Sequence, residues 1–173
     1  MKLMIMGYAR HGKDTVCEIL RDEYGFTFAS SSYAAAEYAI YPVLKDLLGY
    51  QTIEECYNDR HNHRALWFEL IKAFNHRDKA RLAGLIFEAY DIYAGIRNAE
   101  EFHAARRAGL FDYAVWVDAS RRLPPETTSS CTVTPGMADY VLDNNGDLGW
   151  LQFKVEEMVG RLKARKALDQ YEV

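Results

Sequence analysis

The chain has 173 residues, of which 49% are hydrophobic and 27% charged, enough to bury a core without disulfides or a structural metal. A formal net charge of −4 argues against a protein that coats nucleic acid, because neutralising a phosphate backbone takes a basic face, but it leaves room for a local basic pocket that holds one nucleotide. The three cysteines, Cys17, Cys56 and Cys131, form an odd set with no Cys-x-x-Cys pair, which fits free thiols in a reducing cytoplasm.

The apolar run Leu3, Met4, Ile5, Met6 starts almost at the first residue and stops at Gly7. It reads as a buried parallel strand and is far too short for a signal peptide or a membrane span. No later run is long enough either, so no membrane partner is expected. Residues 15–24 follow with helical spacing, Val16, Ile19 and Leu20 on one face and Glu18, Arg21 and Asp22 on the other, with Gly25 as the stop. Residues 26–29 read as a second strand. Ser30, Ser31 and Ser32 can cap a helix, and the stretch 33–89 is expected to be almost wholly helical, interrupted near Pro42 and at 49–52. Thr52-Ile53-Glu54-Glu55 has the form of a capping box.

A third strand is expected over 91–96, then a helix from Asn98-Ala99-Glu100-Glu101 to about residue 108, closed by Gly109. Residues 112–117 form a nearly continuous apolar fourth strand. Pro124-Pro125 and a Thr/Ser cluster mark the segment 121–136 as loop. Residues 138–142 read as a fifth strand, Asn144-Asn145-Gly146 as a turn, and 147–168 as a final helix. Five short strands alternating with helices predict one α/β domain over 1–173, with a mainly parallel five-stranded sheet flanked by helices. In such sheets ligands sit beyond the carboxyl ends of the strands.

Gly7-Tyr8-Ala9-Arg10-His11-Gly12-Lys13 fits the pattern Gly-x-x-x-x-Gly-Lys between a strand and a helix, the context that makes this pattern a phosphate loop. Gly7 and Gly12 permit backbone angles that turn successive N–H groups toward a phosphate, and the helix start adds partial positive charge. Lys13 is placed to bridge the β- and γ-phosphates of ATP. Arg10, His11 and Thr15 complete the donor-side set. The residue after Lys13 is Asp14, where a hydroxyl usually holds Mg²⁺. A carboxylate can serve the same ion, directly or through water.

This loop, followed by Asp14-Thr15, resembles the deoxynucleoside monophosphate kinases of bacteriophages, a branch near the thymidylate kinases. Tyr93-Ala94-Gly95-Ile96-Arg97-Asn98 is similar to their third strand and its arginine. Residues 138–148, Ala-Asp-Tyr-Val-Leu-Asp-Asn-Asn-Gly-Asp-Leu, are similar to their last strand and turn. The resemblance implies a P-loop NTPase fold, ATP and Mg²⁺ as cofactors, Arg97 on the acceptor phosphate, and a turn near adenine where Asn144 and Asn145 contribute. Asn-Asn-Gly is also an ordinary tight turn, and Arg97 can equally be a surface arginine at a helix start. Two departures stand out. Gly95 holds the place where relatives carry an aspartate for Mg²⁺. Asp118 does end an apolar strand, but that strand is the fourth, so it reads either as an assisting acid or as a cap. The lid is reduced to Ser120-Arg121-Arg122 and a Pro-rich loop within 119–136, with Arg121 or Arg122 available to stabilise charge on the transferring group.

The segment 33–89 is the expected acceptor-binding insertion. Asn58-Asp59-Arg60-His61-Asn62-His63-Arg64 is its densest polar run. On a helix, Arg60 and Arg64 share a face, and with His61 and Trp67 they can form a pocket for an acceptor phosphate and a stacked base. The same run also reads as a solvated helix face. Tyr33 and Glu37 follow the second strand and suit sugar or base recognition. Glu126 and the cluster 127–131 are further candidates. The expected activity is transfer of the ATP γ-phosphoryl group to a deoxynucleotide in the cytoplasm, a host's cytoplasm if the source is a phage; a homodimer is allowed. Two rivals remain at this level. One is a kinase of 5-hydroxymethyluracil within phage DNA, where Asp118 or Glu37 would serve as base. The other is a P-loop nucleotide-binding switch that transfers nothing.

Overall fold

The computed structural model describes residues 1–126 and 131–169. The fold is organised by β1 (Leu3–Met6), whose four residues are all buried. It pairs in parallel with β3 (Ile92–Ala94) on one side and β4 (Tyr113–Asp118) on the other. β2 (Phe28–Ser30) extends the sheet beside β3, and β5 (Tyr140–Asp143) extends it beside β4. The spatial order is β2-β3-β1-β4-β5, with every pairing parallel.

The alternation of side chains along a strand divides the core in two. Leu3, Ile5, Ile92, Ala94, Val115, Val117 and Leu142 face one layer. That layer is built by α1 (Lys13–Tyr24) and α8 (Leu148–Asp169), which contribute Val16, Leu20, Leu151 and Val155. Met4, Met6, Tyr93, Ala114 and Trp116 face the other. There the chain packs α2 (Ser31–Ala35), α3 (Tyr41–Leu48), α4 (Ile53–Asp59), α5 (Arg64–Phe74), α6 (Arg81–Ala89) and α7 (Ala99–Arg107). Helices on both faces of a parallel sheet are the arrangement expected when the central strands are buried on both sides.

The segment 31–48 runs through Pro42 without a break. A π-helical turn, Ala36–Ile40, joins α2 to α3, and Pro42 sits in the first turn of α3. Its missing N–H costs nothing there, which is why the proline does not interrupt the chain as the sequence predicts. The Thr52 capping box forms as expected: the Thr52 hydroxyl accepts from Glu55 N–H, and the Glu55 carboxylate accepts from Thr52 N–H. The polar run 58–64 does not form one helix. α4 ends at Asp59 and α5 starts at Arg64, because Asp59 draws the intervening turn together, accepting from Asn62 Nδ2 at 2.6 Å and pairing with His63 at 3.0 Å. Among the described residues of the β4–β5 connection, the helical piece is the short 3₁₀ turn Pro135–Met137. No described helix is long and apolar enough to cross a membrane.

Candidate active site

Three segments meet at the carboxyl end of the sheet: the loop 7–12, the end of β3, and the turns that flank β4 and β5. The loop leaves β1 through Gly7 at φ 148°, where a Cβ would lie 2.7 Å from the Val117 carbonyl oxygen. Only glycine lets the backbone run so close to β4. Arg10 at φ 63° and Gly12 at φ 89° complete a left-handed curl, and α1 starts at Lys13 with no side chain capping it. Its first N–H groups therefore receive no side-chain acceptor, which is the condition for an anion site at a helix start. Lys13 Nζ lies over this curl, donating to Gly7 O at 2.9 Å and Tyr8 O at 2.8 Å. Burial lowers its pKa. The Asp14 charge opposes that shift, Arg97 adds to it, and Glu126 opposes it.

The loop is fastened to the far strands by two buried side chains. His11, fully buried, accepts from Ala119 N–H through Nδ1 at 3.1 Å. Asn144, 6% exposed, donates from Nδ2 to the His11 carbonyl at 2.8 Å. Asn144 is itself held, its N–H donating to Asp118 O and its carbonyl accepting from Arg122 Nε at 3.0 Å. Asn145 accepts from Arg121 N–H at 2.9 Å and donates to Asp143 and to the Asp118 carbonyl. Beside this braced turn opens a cavity of about 310 Å³, lined by Arg10, Gly12, Thr15, Arg122, Asn144, Gly146, Asp147, Leu148 and Leu151. It joins the loop on one side to apolar α8 residues on the other, and its size is at the lower end for a small-molecule site, where volumes start at about 300 Å³.

On the opposite side of Lys13 lies the end of β3. Gly95, at φ 93°, accepts from Ser31 Oγ through its carbonyl, so the start of α2 is tied to this strand end. Arg97 pairs with Glu126, whose second carboxylate oxygen accepts from Ala9 N–H at 3.2 Å. Thr132 N–H donates to the Arg97 carbonyl at 2.8 Å, bringing the irregular segment that follows alongside. Beyond Ser31, the Tyr33 hydroxyl donates to Glu54 at 2.8 Å and its ring meets Tyr57 edge-on at 5.4 Å. The Arg60 guanidinium stacks over Tyr57 at 3.8 Å.

The fold thus gathers Gly7, Arg10, His11, Gly12, Lys13, Thr15 and Asn145 around the loop, and Arg97, Tyr33 and Arg60 on the other flank. Asp14 is exposed in the first turn of α1, next to Lys13. The Asp118 carboxylate accepts from Ser120 N–H and Oγ, both at 3.1 Å, which is a capping arrangement. Arg121 stands at the rim, 78% exposed and 3.9 Å from Asp143. Glu37 lies partly exposed in the π-helical turn. Arg64 is exposed and meets His61 at 3.2 Å, across the helix break from Arg60. Trp67 is 6% exposed and belongs to the core on the helical side of the sheet, so its ring fills core and offers no open face to a base. The candidate cluster 127–130 lies outside the described residues. The bracing role of Asn144, the pocket wall from Asp147 to Leu151 and the Glu126 contacts are not evident in the sequence. Only the polar Asn-Asn-Gly turn and the lone acid after Pro124-Pro125 hint at them.

No family model matches the chain, and no curated protein matches it. Solved structures do share its fold. A shikimate kinase from Bacteroides thetaiotaomicron superposes with a TM-score of 0.52 at 11% identity, covering 94% of this chain and 98% of that one. A shikimate kinase from Aquifex aeolicus gives a TM-score of 0.51 at 14% identity over 96% and 98%. A gluconokinase from Sinorhizobium meliloti 1021 gives 0.53 at 13% identity over 97% and 96%. The chain has the α/β fold of small P-loop kinases, matched nearly end to end.

Proposed function

We propose that the protein transfers the γ-phosphoryl group of ATP to a deoxynucleotide. The observation that carries this reading is the position of Lys13, with an open cavity of about 310 Å³ on one side and Arg97 on the other. Adenine fits the cavity wall of Leu148, Leu151, Arg10 and Arg122, and the loop amides with Lys13 take the phosphates. Arg97, a planar cation beside that track, suits the acceptor phosphate, whose oxygens it can grip in pairs. The Tyr33–Tyr57 pair, with Arg60 stacked on it, offers an aromatic flank for the acceptor base.

Among the described residues no group of three or more His, Cys, Asp or Glu gathers into a metal cage. That suits Mg²⁺, which takes one or two carboxylates and leans on substrate phosphates and water. Asp14 is the residue that would hold it, and the ion would supply charge neutralisation on the donor phosphates. An acceptor phosphate is already nucleophilic, so the chain's own contribution is positioning and electrostatic stabilisation of the transferred group.

The test is transfer of label from γ-labelled ATP with Mg²⁺. The acceptors offered are deoxynucleoside monophosphates, 5-hydroxymethyl-dUMP, duplex DNA containing 5-hydroxymethyluracil, shikimate and gluconate. Label in a free deoxynucleoside diphosphate is expected. Label confined to DNA would replace the free nucleotide by a base in the polymer, and label confined to a hydroxy acid would sink the deoxynucleotide reading altogether. Nucleotide binding without any transfer would make the protein a switch. Lys13→Ala is expected to lower transfer by at least about a hundredfold, and retained activity would remove the loop from the mechanism.

A further inference from the structure

A carboxylate that occupies an amide of a phosphate loop takes a donor from the ligand. The donors there are arranged for a ligand anion, and a fixed acid repels one. Glu126 nevertheless reaches the loop from 117 positions away in the sequence, and its side chain is only 16% exposed. Burying a carboxylate to that degree is tolerated only when its oxygens are well satisfied. Oε2 accepts the Ala9 N–H at 3.2 Å, and Oε1 faces Nη2 of Arg97. Lys13 lies close enough to feel both charges. A loop amide and a guanidinium on the two carboxylate oxygens, with the Lys13 ammonium turned to the loop carbonyls nearby, form a donor pattern that can recognise a phosphoryl group.

We propose that the Glu126 carboxylate is an internal stand-in for the terminal phosphoryl group of a nucleoside triphosphate, held in the position that this group takes when the ligand binds. The inference rests on the reading of the loop as a triphosphate site and adds a residue to it. Two anions cannot share the Ala9 N–H and the Nη2 edge of Arg97, so the γ-phosphoryl displaces Glu126 on entry. A nucleoside diphosphate ends one phosphate earlier and leaves the Arg97–Glu126 pair in place. Glu126 therefore weakens triphosphate binding selectively. It also keeps Arg97 compensated and in its working orientation until a triphosphate arrives, so that the arginine meets the donor's terminal phosphate as well as the acceptor.

The experiment is calorimetric titration of the wild-type protein, Glu126→Gln and Glu126→Ala with ADP and with the β,γ-imido analogue of ATP, each with Mg²⁺. Thermal melting of each variant confirms the fold, and either variant suffices if the other melts early. Removing the carboxylate is expected to tighten analogue binding about tenfold, the effect of one competing charge-assisted contact, while ADP affinity changes by less than about threefold. An unchanged ratio of ADP to analogue affinity would overturn the role of Glu126 and leave the nucleotide reading standing. Equal tightening of both ligands would also overturn it, because that is general charge repulsion without a γ-position. If neither ligand binds the wild type or the variants, the triphosphate reading falls and takes this inference with it.

Discussion

The bond between Asn144 and His11 joins residues 133 positions apart, and it determines whether the phosphate loop keeps its shape. Asn144→Ala removes the donor that satisfies the His11 carbonyl and opens the space against Gly12, where a Cβ on that glycine would collide with the Asn144 amide. An orphaned buried carbonyl costs about 1.5 kcal/mol. For a chain of this length that corresponds to roughly 3–6 °C in Tm, at about 2–4 °C per kcal/mol. Asn144→Asp is nearly isosteric and should be worse, about 3 kcal/mol, because it sets a charged acceptor against an acceptor carbonyl. Both variants should also weaken ATP binding, by roughly tenfold if the loop loses its left-handed curl. Thermal melting and calorimetric titration read the two effects separately. The reasoning fails if the aspartate variant melts at or above the alanine variant, since the ordering follows from Nδ2 facing His11 O and from nothing else.

Gly7→Ala should cost about 2–4 kcal/mol and abolish nucleotide binding, because its Cβ would meet the Val117 carbonyl of β4 at 2.7 Å with φ at 148°. Gly109→Ala is the control, with φ 65° and nothing within 4 Å, and should cost only about 1 kcal/mol; denaturant titration compares them. The Arg106–Asp139 pair should show in the acid limb of stability. Burial alone would raise the Asp139 carboxyl, but the Arg106 hydrogen bond, the Ala114 N–H and the Arg106 charge outweigh it and hold the pKa below the usual range. Its contribution is complete above the unfolded value of about 3.9 and is lost as pH falls through the lower folded value. Asp139→Asn should therefore cost about 1 kcal/mol at pH 7, allowing for the part-exposed Arg106, and progressively less as pH falls below the unfolded carboxyl value, as urea titrations at a series of acid pH values would show.

The sequence reveals most of the sheet because every strand is short, apolar and bounded by turn residues, and it reveals the phosphate loop because strand, glycine spacing and helix are all local. The edges that drift have local causes. α1 begins at Lys13, two residues before the apolar periodicity of 15–24, because the loop geometry fixes its start before the core face does. β2 is shifted to Phe28–Ser30 by its register with Ile92–Ala94, which no local pattern encodes. The polar run 58–64 looks helical by composition, yet Asp59 collects Tyr50, Asn62 and His63 and breaks it. The second half of the site is written in long-range pairs: Ala9 with Glu126, His11 with Ala119 and Asn144, Ser31 with Gly95. Each partner taken alone is an ordinary polar residue in a turn, so only the fold makes them a site.

The Mg²⁺ role proposed for Asp14 agrees with the same contacts. The family resemblance implies an acid at the end of β3 as the Mg²⁺ partner, and Gly95 stands there at φ 93°. A Cβ at that point would lie 3.3 Å from Ser31 Oγ and 3.8 Å from Lys13 Cε. An aspartate would thus combine a strained backbone with crowding of the hydroxyl that ties α2 to β3 and of the lysine stem. Asp118, the other acid at a strand end, has its carboxylate bound to Ser120 and lies within reach of Asn145 on the β5 side. Asp14 has neither constraint. It is exposed, adjoins Lys13, the lysine proposed to meet the phosphates, and occupies the first turn of α1, where a negative charge is favoured by the helix dipole. Under the proposed reading Asp14, at the start of α1, is the carboxylate available to Mg²⁺, and glycine at the end of β3 leaves room for Ser31 and Lys13 beside it.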